Sequence, residues 1–130
     1  MTKEKIKEIL KEKNICICYF DGKDYHRSGF YIPSIKTIFL NNLLSEMEQE
    51  RVILHEIGHL NHSIAKYKSS SIKCENEANR FMITQLLIDY IENNDISEFN
   101  LVQFAKENNL NTVCDEIMIQ DELKKILSRQ

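Results

Sequence analysis

Apolar positions in this chain follow a helical rhythm, then a strand rhythm, then a helical one again. Over residues 3–13, Ile6, Ile9 and Leu10 recur at helical spacing among Lys and Glu, which predicts a short amphipathic helix. Residues 15–20 (ICICYF) are too short and too β-branched for a helix and read as a buried strand. Asp21-Gly22-Lys23-Asp24 is turn chemistry. Residues 29–32 and 36–40 then predict two strands joined by a turn at Pro33-Ser34. From Ser45 the period changes. Ser45 and Glu48 have the spacing of a capping box, which satisfies otherwise unpaired N–H groups and starts a helix expected to run through His59 to about residue 61. The polar stretch 66–71 closes that unit. A longer helix is expected over about 72–92, with Ile72, Met82, Ile83, Leu86, Leu87 and Tyr90 as core positions. Asn93-Asn94-Asp95 breaks it, and two further helices are expected at about 96–108 and 112–127, split by Asn108-Asn109. A small antiparallel or mixed sheet of about three strands followed by helices is an α+β arrangement.

The length of 130 residues sets the expectation of one domain over 1–130, with 1–93 as a core and 94–130 as a helical extension. A net charge of −3 removes any reason to expect a protein held on nucleic acid or anionic lipid by bulk electrostatics. No apolar run approaches the roughly 18 residues that cross a bilayer, and the first residues carry charge throughout, unlike a secretory leader. The expected location is therefore the cytosol, with no membrane partner. Cys16, Cys18, Cys74 and Cys114 show no C-x-x-C spacing and read as free thiols serving as small apolar side chains.

The chemistry concentrates at His55-Glu56-Ile57-Gly58-His59, an H-E-x-x-H motif inside the helix already expected from its cap and period. Four residues advance a helix by about 6 Å and just over one turn, so both imidazoles project from one face and can share a single Zn²⁺. Glu56 is rotated by about 100° from His55, where a carboxylate can reach an attacking water without being a ligand and can act as general base. Two His leave a tetrahedral site short of a third protein ligand. His62 lies roughly on the same face but about 10.5 Å along a straight helix from His55, too far for one ion. It is expected in the pocket, behind the ligands, or on the helix surface. The longer H-E-x-x-H-x-x-G-x-x-H pattern fails, because His62 replaces its Gly and Ala65 its last His. Cys74 is a possible soft ligand. Glu75 is the preferred one, since Glu75 and Asn79 are four apart on the next helix and share a face, and small Ala78 permits close approach of the two helices.

The stretch LSEMEQERVILHEIGHLNH, followed by ENEANRFM, resembles the ImmA/IrrE family of bacterial and phage metallopeptidases. Residues 43–88 match the order of that family's motifs closely, and the strands before them match more loosely. The resemblance implies a gluzincin-like fold with one Zn²⁺ per chain, bound by His55, His59 and Glu75, with Glu56 as general base. It implies that Asn79 orients a ligand His from behind and that Glu77 is structural or salt-bridged. Met82, where the family usually has Ala, and the absence of a Met-Pro after the aliphatic run are departures that touch packing, not the metal. Members on mobile elements are similar to antirepressors, so the expected partner is a protein substrate, a helix-turn-helix repressor of a phage or mobile element.

Tyr25, His26, Tyr67 and Tyr90 are all possible hydrogen-bond donors to the oxyanion of such a reaction, and the sequence does not choose among them. Leu101, Ala105 and Asn109-Leu110 have the loose spacing of a helix-turn-helix, but residues 95–130 carry four basic against seven acidic side chains. That balance argues against direct nucleic-acid binding and for a scaffold that packs on the core or grips a substrate. Two other classes fit the same residues: a metal-holding module that sequesters a regulatory partner without cutting it, and a toxin-like or sensor member of a two-gene system. The metal used in the cell, zinc or manganese, stays open.

Overall fold

The computed structural model describes residues 3–129. Helix α1 (Lys3–Glu12) buries Ile6 and Leu10, the apolar stripe of its sequence, and Asn14 in the left-handed region (φ 56°) turns the chain out of it. Three strands follow, β1 (Cys16–Phe20), β2 (Gly29–Ile32) and β3 (Thr37–Asn41), in the spatial order β1-β3-β2. β3 is the central strand, parallel to β1 and antiparallel to β2, so the sheet is mixed. The expected turn at Pro33-Ser34 is a single 3₁₀ turn, Pro33–Ile35, left through Lys36 at φ 45°.

The strand expected to be buried is not. β1 lies at the sheet edge with Cys16, Cys18 and Tyr19 exposed, whereas β3 is the strand with Ile38 and Leu40 fully enclosed. A parallel neighbour reached across a long connection takes the edge here, and the ICICYF pattern carries no record of that pairing. All four cysteines are free, but only Cys74 is buried, so the small-apolar role holds for that one alone.

Helix α2 (Glu46–Gly58) begins where its cap predicts: the Ser45 hydroxyl accepts from the Glu48 N–H and the Ser45 N–H donates to Glu48 Oε1. It ends earlier than expected, at Gly58, with His59 as its C-cap. Beyond it the backbone tightens into 3₁₀-type turns, the N–H of His59 donating to Glu56 O and that of His62 to His59 O. The polar connection contains a six-residue helix, α3 (Ile64–Ser69), started by the Ser63 hydroxyl accepting from the Lys66 N–H. Helix α4 (Ser71–Asn93) is the long one, burying Cys74, Ala78, Met82, Ile83, Leu86 and Leu87, while Ile72 stands 77% exposed in its first turn and is no core residue. The helix expected at 96–108 divides into a 3₁₀ turn, Ile96–Glu98, and α5 (Leu101–Glu107), which Asn100 caps. Helix α6 (Val113–Ser128) opens with a Thr112–Asp115 capping box.

Two apolar clusters flank α2. Ile53 and Ile57 join Ile6, Leu10, Ile15, Ile38 and Leu40 on the sheet side. Leu54 points the other way, into Met82, Ile83, Leu86, Leu87, Phe104 and Ile119 from α4, α5 and α6 and Leu110 from the α5–α6 connection. The H-E-x-x-H helix is thus clamped on two sides, and side chains carried by such an element are held more tightly than side chains on a loop. Among the described residues no helix is long and apolar enough to cross a membrane.

Candidate metal centre

Gly58 and Ala78 set the distance between α2 and α4. A Cβ added to Gly58 would stand 2.7 Å from the Cα of Ala78 and 3.0 Å from its carbonyl oxygen, so the two backbones touch where the histidine helix ends. That contact carries Glu75, one turn before Ala78, up to the histidine pair. His55 Nε2 lies 2.9 Å from Glu75 Oε2, His59 Nε2 lies 3.1 Å from Glu75 Oε1, and the two ring nitrogens are 3.1 Å apart. The rings meet edge to face, at 74°, with both Nε2 atoms turned to one point.

This triangle fits a cation. Donors placed tetrahedrally about 2.0–2.1 Å from a Zn²⁺ stand about 3.3–3.4 Å from one another, close to the spacing of these three atoms. The donor chemistry also fits: two imidazoles and one carboxylate suit a zinc-type ion and leave a coordination position unfilled by protein. Among the described residues His55, His59 and Glu75 form the one such group of potential ligands. Cys74, the competing soft ligand, is turned into the core with no exposed surface.

The electrostatics match deprotonated ligands. Burial holds His59 below its ordinary value, against the pull of the Glu75 charge, which keeps the ring neutral. Burial alone would raise Glu75, but a hydrogen bond donated by the Tyr67 hydroxyl (2.9 Å to Oε1) and the two imidazoles beside it outweigh that, and its carboxyl sits below the usual range. Glu56 goes the opposite way. Burial, reinforced by the Glu75 charge, pushes it above the usual carboxylate range, while His55 and Arg27 pull it back. Two carboxyls on neighbouring helices are thus driven apart in proton affinity, the pattern of a site that separates a ligand from a base.

Glu56 stands between two depressions that together form an open cleft. One, of about 500 Å³, is walled by Arg27, Tyr31, His59, Tyr67 and Lys68. The other, of about 390 Å³, is walled by Gly29, Arg51, Asn79, Asn109 and Asp115. The strand β2 runs past both, pressed onto α2 so closely that a Cβ on Gly29 would meet Val52 Cγ1 at 2.8 Å. Asn41, buried at the end of β3, holds the preceding loop by donating to the carbonyls of Arg27 and Tyr25.

Of the four possible oxyanion donors, Tyr67 alone borders the cleft. Tyr25 packs its ring edge to face against Phe20 and Phe30, and Tyr90 packs against Phe99 and Phe104 in the C-terminal core. His26 is exposed on the loop and lines neither depression. Asn79 lines the cleft beside His55 and Glu56, and among the described residues no hydrogen bond joins it to a ring of the cluster. His62 does contact the cluster, because the 3₁₀ turns after Gly58 fold it back onto His59 where a straight helix would carry it away. Arg27 was not legible in the sequence: an arginine in a turn-rich loop carries no signal of its own, and only the Asn41 anchor places it by Glu56.

The model of the IrrE N-terminal-like domain, a peptidase family designated M78, matches residues 10–108. The chain belongs to that family. A metallopeptidase-type function goes with the membership, and the α+β architecture with its His-His-Glu cluster is consistent with a zincin-like core. Cluster and family together point to a bound metal ion. Neither a curated protein nor a solved structure matches the chain significantly.

Proposed function

We propose that this IrrE-like protein is a zinc endopeptidase that hydrolyses a peptide bond in a regulatory protein. The observation that carries the reading is the convergence of His55 Nε2, His59 Nε2 and a Glu75 carboxylate oxygen within about 3 Å of one another, with Glu56 facing the same open cleft. A bound Zn²⁺ would supply Lewis acidity there, polarising the scissile carbonyl and easing deprotonation of water. The protein's own groups do the rest. Glu56, its proton affinity raised by burial, takes a proton from the attacking water and passes it to the leaving amine. The Tyr67 hydroxyl, beside the cluster and 42% exposed, is the donor we assign to the developing oxyanion, a role that requires it to turn its one hydrogen away from Glu75 Oε1. Arg27 and β2 offer the extended substrate a cationic side chain and a strand edge on the opposite wall.

For the substrate we propose a helix-turn-helix repressor of a phage or mobile element, which the antirepressor-like members of the family support. The site of action we propose is the cytosol. The test is Glu56→Gln in the full chain. Zinc content, measured by elemental analysis, should stay at one per chain, while cleavage of a candidate repressor, followed by intact-mass spectrometry, should fall by about 10²–10⁴-fold. Undiminished cleavage would remove Glu56 from the chemistry. Repressor neutralised by Glu56→Gln as fully as by the parent protein, with no cut chain, would replace hydrolysis by sequestration.

A further inference from the structure

His62 and Glu77 form a second set of contacts behind the metal centre. The His62 side chain is 4% exposed, and both its ring nitrogens are engaged: Nδ1 lies 3.0 Å from His59 Nδ1, and Nε2 lies 2.7 Å from Glu77 Oε2. The hydrogen positions along this chain follow from the carboxylate at its end. Glu77 can only accept, so His62 carries its hydrogen on Nε2 and donates it there. A neutral ring with Nε2–H presents a bare Nδ1, which accepts from His59 Nδ1–H. His59 is then left with its lone pair on Nε2, the atom that faces His55 and Glu75.

We propose that Glu77 and His62 are a positioning pair that locks His59 in the ring orientation and tautomer needed for metal binding. The inference rests on the reading of His59 as a ligand, and it gives Glu77 a role distinct from that of Glu75 two residues earlier. Among the described residues no hydrogen bond or ion pair joins Glu77 to a potential ligand; its hold on the cluster passes through His62, and Lys66 (Nζ 3.9 Å away) and Lys73 are cationic neighbours. The geometry depends on the early end of α2. The turn closed by His62 N–H on His59 O, at 2.8 Å, brings the second ring under the first.

The test uses the full chain with Zn²⁺ alone, titrated against a chromophoric chelator, for Glu77→Ala, His62→Phe and the double variant. Loss of a ring-orienting partner typically lowers metal affinity by about 10–100-fold, and each single variant should fall in that range. Because Glu77 acts through His62, the double variant should bind no more weakly than His62→Phe. Nitrogen-15 spectra of the metal-free protein add a readout that neither activity nor stability moves. His59 should be the Nδ1–H tautomer in the parent chain and a mixture of both in Glu77→Ala. Parent-like affinity in Glu77→Ala, losses that multiply in the double variant, or an unchanged His59 tautomer would each overturn the proposal. His59→Ala separates the two levels of the argument. If it binds Zn²⁺ like the parent, the ligand reading fails; if it loses Zn²⁺ while Glu77→Ala does not, only the positioning pair fails.

Discussion

Replacing Gly58 by Ala tests whether backbone contact between α2 and α4 builds the metal centre. The added methyl would lie 2.7 Å from Ala78 Cα, and restoring an ordinary carbon–carbon separation of about 3.5 Å requires the helices to part by about 0.8 Å. Both helices are packed on their other sides, α2 against the sheet cluster and α4 against α6, so neither can move without disturbing a core. Overpacking of this kind costs about 1–3 kcal/mol. The displacement matters more at the site. Ligand distances hold to about ±0.2 Å, and a shift several times larger moves the Glu75 carboxylate off the histidine pair. Gly58→Ala should therefore lower the urea midpoint and weaken Zn²⁺ binding by at least about tenfold. The nearest obstacles are the Cα and carbonyl of Ala78, with its Cβ third at 3.2 Å, so Gly58→Ala/Ala78→Gly should not recover affinity. Parent-like Zn²⁺ affinity in Gly58→Ala, or full rescue by Ala78→Gly, would refute the idea that backbone proximity sets the site.

Two further outcomes concern stability. Ser45→Ala removes the acceptor of the α2 capping box and should cost about 1 kcal/mol in urea unfolding, while Zn²⁺ affinity, set at the opposite end of the helix, stays within about twofold. Glu122 on α6 is buried, which alone would raise its proton affinity, but hydrogen bonds from Arg80, Thr84 and Lys125 outweigh that and leave its carboxyl below the ordinary value. A depressed carboxyl stabilises the folded state fully above its unfolded value and loses that contribution as pH falls through the folded one. Glu122→Gln should thus be less stable than the parent by about 2 kcal/mol at pH 7, and the gap should narrow below about pH 4.5. An equal gap at both ends of that range would show that the pairing charge is not what stabilises the contact.

Features encoded within a few residues are legible in the sequence itself. The start of α2 was readable because Ser45 and Glu48 satisfy one another's backbone groups, and His55 and His59 because a four-residue step fixes their common face. The small size of Ala78 announces a close approach, whereas nothing local marks Gly58 as the facing residue. What escaped depends on partners far away in sequence. The exposed edge position of β1 follows from its parallel pairing with β3, which the ICICYF pattern does not encode. Helix α3 lacks an apolar stripe, so its cap at Ser63 stood alone. The stop at Gly58 distinguishes between the places expected for His62: a continuous helix would leave it on the surface away from the ligands, and the observed turns fold it behind them.

The tight seam between Gly58 and Ala78 has a consequence for diversification. The half of the cleft that holds the ligands is packed so closely that even one added methyl at Gly58 would meet the Ala78 backbone. Its other borders, the loop bearing Arg27 and the α5–α6 junction with Asn109, present these exposed side chains to the cleft from backbones that Asn41 and the buried Leu110 anchor. Changes in what the cleft admits can accumulate along those borders while the hydrolytic half stays as it is.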